Sequence, residues 1–242
     1  DDFDKDYTDA LTDCANQQAY WHQKLCGYIL KKDSPSCGME RVKVWDQVMP
    51  MREGVGVYAA QLMANFPYLP VEEEGRLGDA VLRENFIQRV FALRRWHRLQ
   101  EQGLTAAGLM EFHARHKLIL MSRDQIVYRK LGRLVATTTR DNLKENATEY
   151  LHEFMALMKM RATRKNQVNV LQHIQGFLKS HLDADDKQEL VQTIEKYRKG
   201  QVPLIVPITL LNHHFRRNPD EYILNSYYMN PYPEELCLKN VI

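Results

Sequence analysis

The chain has 242 residues, 44% of them hydrophobic and 26% charged, a composition typical of folded globular proteins and outside the disordered and fibrous classes. No stretch approaches the roughly 18 apolar residues of a membrane span, and the opening residues include Asp1, Asp2, Asp4, Asp6 and Asp9, where a secretory leader would be basic and then apolar. The four cysteines (Cys14, Cys26, Cys37 and Cys237) match no zinc-finger spacing and are too few to staple a chain of this size, so free thiols and a cytoplasmic location are expected.

The net charge of +2 conceals a segregation. Residues 1–82 hold 8 basic and 14 acidic side chains, 83–140 hold 12 and 4, and 141–242 hold 13 and 13. A basic middle third between acidic and neutral parts fits a face for a polyanion, although arginines on solvated helix faces give the same count.

The first 80 residues read as mixed α/β. Thr8 is placed to cap a helix carrying Leu11, Cys14, Ala15 and Ala19 at helical spacing. The run Cys26-Gly27-Tyr28-Ile29-Leu30 fits a short buried strand, and Asp33-Ser34-Pro35-Ser36-Cys37-Gly38 is a dense turn signal. Arg41 to Trp45 alternates as an extended segment should. Ala59, Leu62, Met63 and Phe66 mark a helix closed by Pro67, and Leu69-Pro70-Val71 fits a further strand or linker.

From about Leu82 the pattern predicts a succession of helices and no strand. These cover 83–101, about 106–121, a segment from Asp124 to Gly132, and stretches around Ala147–Met158 and Val170–Leu178. The best delimited starts at Asp183 and stops before Gly200. Pro203 and Pro207 predict an extended bridge before a last short helix at Leu210–Phe215. The expected fold class is α+β, mostly helical: a partial α/β domain over 1–80 and an all-α domain over 81–242.

The densest chemical signal is Ser34-Pro35-Ser36-Cys37-Gly38 directly after a strand, because ligand crevices in open α/β sheets lie beyond the carboxyl ends of strands. A serine-rich surface turn with an incidental cysteine gives the same letters. His113 and His116 share a helix face, as two metal ligands or as two hydrogen-bonded helix residues; His213-His214 has the same standing. The phosphate loop, the serine elbow and the zinc-protease motif do not occur.

Several segments resemble known families. Gly27 to Gly38, Arg41-Val42-Lys43, and Leu69 to Leu77 (LPVEEEGRL) resemble the second half of the thiouracil desulfidase family. From Arg83 onward, Phe112 to Lys117, Tyr128 to Gly132, His173 to Gly176 and Pro203 to Pro207 resemble the YbgA-type helical domain, with Met121-Ser122-Arg123 a local departure. The combination is similar to that of tRNA 4-thiouridine desulfidases. The resemblance implies a [4Fe-4S] cluster whose open iron takes the substrate sulfur, with Cys37 as one ligand, Ser34 as a catalytic hydroxyl, and two further cysteines and a glutamate lying upstream of this chain. It also implies tRNA as partner of the helical domain, and the basic candidates there are Arg94, Arg95, Arg98, Arg115, Lys117, Arg129, Lys130 and Arg133. Free thiouracil or a thiolated nucleotide is the alternative substrate, and a non-catalytic RNA-binding protein the alternative class.

Overall fold

The computed structural model describes residues 5–46, 49–236 and 238. It is 63% helical and 7% strand, the mostly helical α+β composition expected. The chain forms two compact units, residues 1–94 and 95–242.

In the first unit, α1 (Thr8–Gln17) and α2 (Ala19–His22) precede β1 (Tyr28–Leu30), β2 (Val42–Asp46) and β3 (Met49–Gly54); α3 (Val57–Asn65) and β4 (Val71–Glu73) follow. Thr8 does not cap α1 but opens it, and its N–H is accepted by Asp6 Oδ1 at 2.8 Å. β1 and β4 pair in parallel, Tyr28 with Val71 and Leu30 with Glu73, so the two strands end side by side. The strand expected from Cys26 starts only at Tyr28, whose N–H reaches Pro70 O at 2.9 Å and where pairing with β4 begins; Gly27 before it lies against Val90 and Phe86, where a Cβ would come within 2.6 Å of the valine.

β2 and β3 form a separate antiparallel pair. The second strand of that pair was not anticipated. Its residues Met49 to Gly54 do not alternate, and its side chains are mostly exposed, so the usual half-buried signature is missing. α1 packs on α3 through a polar seam in which Asn16 Oδ1 accepts from both Gln61 Nε2 (3.1 Å) and Asn65 Nδ2 (2.9 Å). Ala15, Leu30, Tyr58, Ala59, Leu62 and Val71 are buried in the core of this unit.

α4 (Ala80–Glu101) runs across the division between the units, and α5 (Ala106–Arg123), α6 (Gln125–Ala136), α7 (Leu143–Lys159), α8 (Arg164–Phe177), α9 (Ala184–Arg198), α10 (Ile205–Arg217) and α11 (Glu221–Leu224) follow. Of the boundaries that differ from the sequence reading, two have a plain physical cause. α6 continues through Gly132, because Leu131 and Val135 on either side of it are buried and the packing outweighs the glycine's entropy cost of roughly 1 kcal/mol. α10 begins at Ile205 rather than after a bridge. Pro207 lies in its first turn, where the missing N–H would have had no helical partner.

The core of the second unit is aromatic: Trp96, Phe112, Tyr150 and Phe154 are buried, with Trp96 at 5.3 Å from Phe112 and 5.9 Å from Tyr150 between ring centroids. Caps set the helix starts. Thr105, Asp124, Thr163 and Asp183 each accept from backbone N–H groups of the turn that follows. Asp124 takes two, from Ile126 and Val127, both at 2.8 Å. Asp124→Ala should therefore cost about 1 kcal/mol or somewhat more, read as a lower urea midpoint with an unchanged slope.

Candidate active site

The loop between β1 and β2 is held from three directions. Within it, Ser34 O accepts from Gly38 N at 2.8 Å, Ser34 Oγ accepts from Cys37 N at 3.2 Å, and the Ser34 and Ser36 hydroxyls lie 3.0 Å apart. From α3, Gly56, Val57 and Ala59 direct their N–H groups at the carbonyls of Gly38, Pro35 and Ser36 at 2.8 to 3.1 Å. These donors open the helix and have no partner inside it, so the loop caps α3 where no side chain does.

From β4, buried Glu73 accepts the Met39 N–H through Oε1 at 2.8 Å. The contact is close enough to require glycine at two positions. A Cβ on Gly56 would stand 2.5 Å from the Ser36 carbonyl and 2.6 Å from Cys37 N, and one on Gly38 would stand 2.3 Å from Val42 Cγ2. Asp33 and Arg41, both with φ of 57°, turn the chain into and out of the loop.

The result places Ser34, Ser36 and Cys37 beyond the ends of two parallel strands, with Cys37 Sγ 3.3 Å from Ser36 Oγ and half-buried. The Ser36 hydroxyl is thus positioned to donate to a sulfur anion. Behind the loop lies a polar cluster that sequence patterning did not suggest. Tyr58 OH donates to Gln18 Oε1 at 2.7 Å and meets His22 Nε2 at 2.9 Å. Having given its proton to Gln18, the phenol accepts from His22, which fixes the imidazole tautomer with hydrogen on Nε2.

Burial, and then the Tyr28 hydroxyl at 3.5 Å, hold the Tyr58 phenol well above the usual range, and the Cys14 and Cys37 thiols are near enough to push it further. Tyr58 sits in the apolar spacing of α3 and looks like core from sequence. Glu73, by contrast, lies within the Leu69–Leu77 motif and was available as a signal.

Does this site hold donors for an iron-sulfur cluster? Among the described residues no group of three His, Cys, Asp or Glu side chains converges as a metal site. Cys37 alone does not match the three-thiolate donor set that such a cluster requires, so these residues do not fit the group by themselves and no chemical step is derived through it.

In the helical unit, Arg95, Arg98 and Arg115 line a cavity of about 520 Å³ together with Gln102, Glu111 and Tyr227. Arg95 lies over the Tyr227 ring at 3.7 Å and Arg115 over the same ring at 4.5 Å. Burial lowers the Arg95 pKa to about 10, Tyr227 opposes the shift, and the neighbouring Arg115 and Arg98 add to it. Arg115 also pairs with Glu111 at 3.6 Å and donates to Asn225 O at 3.2 Å.

The other predicted cations do not line this cavity. Arg94 is half-buried on α4, in the preceding unit. Lys117 faces the Tyr222 ring at 5.8 Å. Arg129 and Arg133 are exposed on α6, and Lys130 pairs with Glu153 (3.1 Å) and Glu149 (4.0 Å) of α7. Those two acids lie outside residues 83–140, so charge counted along the sequence overstates what is unpaired in space.

The imidazoles of α5 face different partners: His116 Nδ1 donates to Phe112 O at 2.7 Å, and His113 Nδ1 meets Tyr150 OH at 3.1 Å. They do not converge as ligands. His213 is exposed, while His214 is buried with Nδ1 4.0 Å from Asp186.

Comparison with known proteins finds separate matches in the two parts of the chain. The family model for 2-thiouracil desulfurase matches residues 1–74, and the model for a protein of unknown function, DUF1722, matches residues 117–233. The first part of the chain is thus similar to a thiouracil desulfurase and the later part to YbgA, which supports a desulfidase-like role. It is 34% identical over 153 residues to the uncharacterized protein YbgA of Escherichia coli (strain K12), covering 90% of that protein and 63% of this chain. The chain belongs to the YbgA family. No solved structure matches it, and among the described residues no helix is long and apolar enough to cross a membrane.

Two predictions follow from this geometry. Gly56→Ala should destabilise the first unit by about 1 to 3 kcal/mol through overpacking, and should speed alkylation of Cys37 as the loop is pushed from α3. Mass-resolved thiol labelling reads the second effect.

The buried histidines contribute to acid sensitivity. Burial, with a smaller push from Lys117, lowers the His113 pKa to about 4, and burial holds His116 well below its usual range. The unfolded chain takes up these protons near pH 6.5 and the folded one does not, so stability is full above that pH and falls between about 6.5 and 4. His113 alone contributes about 3 kcal/mol to that loss. Unfolding midpoints from pH 8 to 4.5 should show the decline, and it should be shallower in His113→Gln.

Proposed function

We propose that the protein removes sulfur from 4-thiouridine in tRNA by hydrolysis. Water adds its oxygen to the ring carbon, the carbon–sulfur bond breaks, and sulfur leaves as sulfide with no net transfer of electrons. The observation that carries this reading is the joining, in one chain, of the desulfurase-type Ser34–Cys37 loop and a helical unit whose cavity gathers three guanidinium groups. A free base would give such a cavity nothing to bind, whereas a polynucleotide offers phosphates to each arginine.

In this reading Ser34 and Cys37 serve the chemistry. The Ser34 hydroxyl, fixed by the Cys37 N–H, hands a proton to the leaving sulfur, and Cys37 would be the loop's one sulfur ligand to the thiophilic [4Fe-4S] cluster that the family resemblance implies; among the described residues no set of three such ligands converges with it. Arg94, Arg95, Arg98, Arg115, Lys117, Arg129, Lys130 and Arg133 are the candidate phosphate contacts, with Arg98 and Arg115 at the cavity the principal ones. The cytoplasm, where tRNA resides, is the proposed location.

Two measurements test this. With the full natural gene product, sulfide release from thiolated tRNA should exceed release from free thiouracil, and Ser34→Ala should lower it about 10² to 10⁴-fold. Preference for the free base would overturn the tRNA assignment. Binding of tRNA by this chain across about 50 to 300 mM salt should weaken steeply, and Arg98→Ala and Arg115→Ala should each lower the slope by about one. A flat response in the parent chain would remove the helical unit from recognition.

A further inference from the structure

The antiparallel pair β2–β3 has two unlike faces. Pairing of Lys43 with Arg52 and of Trp45 with Pro50 places two cations and an indole on one face, and pairing of Val44 with Met51 places apolar side chains on the other. Trp45 is 75% exposed, far more than an indole used for packing. Like charges directly opposite in an antiparallel pair repel, and among the described residues no acid pairs with Lys43. Arg52 reaches Asp33 Oδ1 at 3.3 Å, and Asp33 is the residue before Ser34. The face bearing Lys43, Trp45 and Arg52 is therefore tied to the entrance of the Ser34–Cys37 loop.

We infer that this face holds a single-stranded segment of RNA, with a base stacked on Trp45 and phosphates between Lys43 and Arg52, beside the loop that receives the thiolated base. The inference rests on the proposed reading of RNA as substrate and adds a contact in the first unit. The chemistry selects the ligand. An anion at Lys43 beside Arg52 supplies the counter-charge that Asp33 gives only to Arg52, and an exposed indole two strand positions from Lys43, roughly 7 Å away, offers a stacking platform to an unpaired base. Bases within a duplex are already stacked and cannot reach it. An apolar partner would be better served by the Val44–Met51 face, and an acidic protein would leave the indole without a role.

The test is tryptophan emission of this chain titrated with a short uridine-rich single-stranded RNA and with a duplex RNA of equal length. Trp96 is buried and Trp21 half-buried, so a change caused by stacking comes from Trp45. Single-stranded RNA should quench the emission and duplex RNA should not. Trp45→Phe should abolish the change, and Trp45→Ala should weaken binding about tenfold. Lys43→Ala with Arg52→Ala should lower the single-strand salt slope by about 1.4.

Quenching that persists in Trp45→Phe, or equal quenching by the duplex, would overturn the inference. So would a parent chain that sediments as a dimer and becomes a monomer as Trp45→Ala, since a second copy would then occupy the face. Arg98→Ala and Arg115→Ala serve as the separating control: they lower tRNA affinity if the helical unit binds RNA, and leave the Trp45 signal at saturation unchanged. Failure of the hairpin inference and failure of the tRNA reading thus give different results.

Discussion

The first unit depends on one exchange of hydrogen bonds, in which a loop from the end of a strand supplies the carbonyls that the first turn of α3 lacks. A helix start left without partners is costly, and so is a loop whose carbonyls are turned from water with nothing to accept. Joining the two satisfies both. It also removes the loop's freedom: Pro35, Ser36 and Gly38 each have their carbonyl committed to α3, and Met39 has its N–H committed to Glu73. Ser34 and Cys37 are positioned by the backbone on either side of them, and the side chains of both meet the Ser36 hydroxyl between them. Gly56 is a consequence of this contact, since a side chain there would separate the helix from the loop, while Gly38 lets the loop close on itself and on Val42 of β2.

The same contact explains why polar groups collect behind the loop. With α3 fixed by its first turn, Tyr58, the second residue of the helix, lies on its inner side, and its hydroxyl is brought to His22 and Gln18 at the α1–α2 junction. A buried phenol needs its hydrogen bonds, because an unpaired hydroxyl costs about 1 to 3 kcal/mol, and here it has both an acceptor and a donor. The cluster therefore joins α1, α2 and α3 through the Tyr58 hydroxyl at the place where the thiols of Cys14 and Cys37 approach, with His22 Nδ1 buried and without a hydrogen-bond partner among the described residues. Glu72 acts in a parallel way at the other edge, accepting from Arg76 Nε at 2.6 Å and lying 4.0 Å from Arg89.

How much of this was legible in the sequence follows from which signals are local. Helices with a periodic apolar stripe and a capping side chain were read well: Asp183 caps α9, and Gly200, with φ of 74°, ends it as expected. The Ser34–Cys37 loop was found because a strand followed by a dense turn is a local pattern. β3 was not found, since its identity comes from pairing with β2 rather than from alternation. Tyr58 and His22 were not found because their role is relational: a tyrosine at an apolar helix position becomes a polar hub only when another element brings it an acceptor. The Pro203–Pro207 bridge was misread for a different reason, because proline breaks a helix in its interior but fits its first turn.

Charge is where sequence and space differ most. The middle of the chain is rich in arginine, yet the structure divides those cations by surroundings. Lys130 is held by acids from α7, while Arg95 is partly buried against Tyr227 and the Pro231 carbonyl. A cation held in that way is poorly hydrated and already ordered, so an anion meeting it sacrifices less water and less side-chain entropy than one meeting a freely moving lysine. Burial cannot have proceeded to the point of neutralisation, because a guanidinium lowered to about pH 10 is still fully charged at neutrality. The cavity thus presents fixed positive charge beside an aromatic ring, whereas the exposed arginines of α6 present mobile charge. If the helical unit binds RNA as proposed, Arg98 and Arg115 at the cavity, beside the ordered Arg95, should carry the specific contacts, with Arg129 and Arg133 adding long-range attraction that salt screens first.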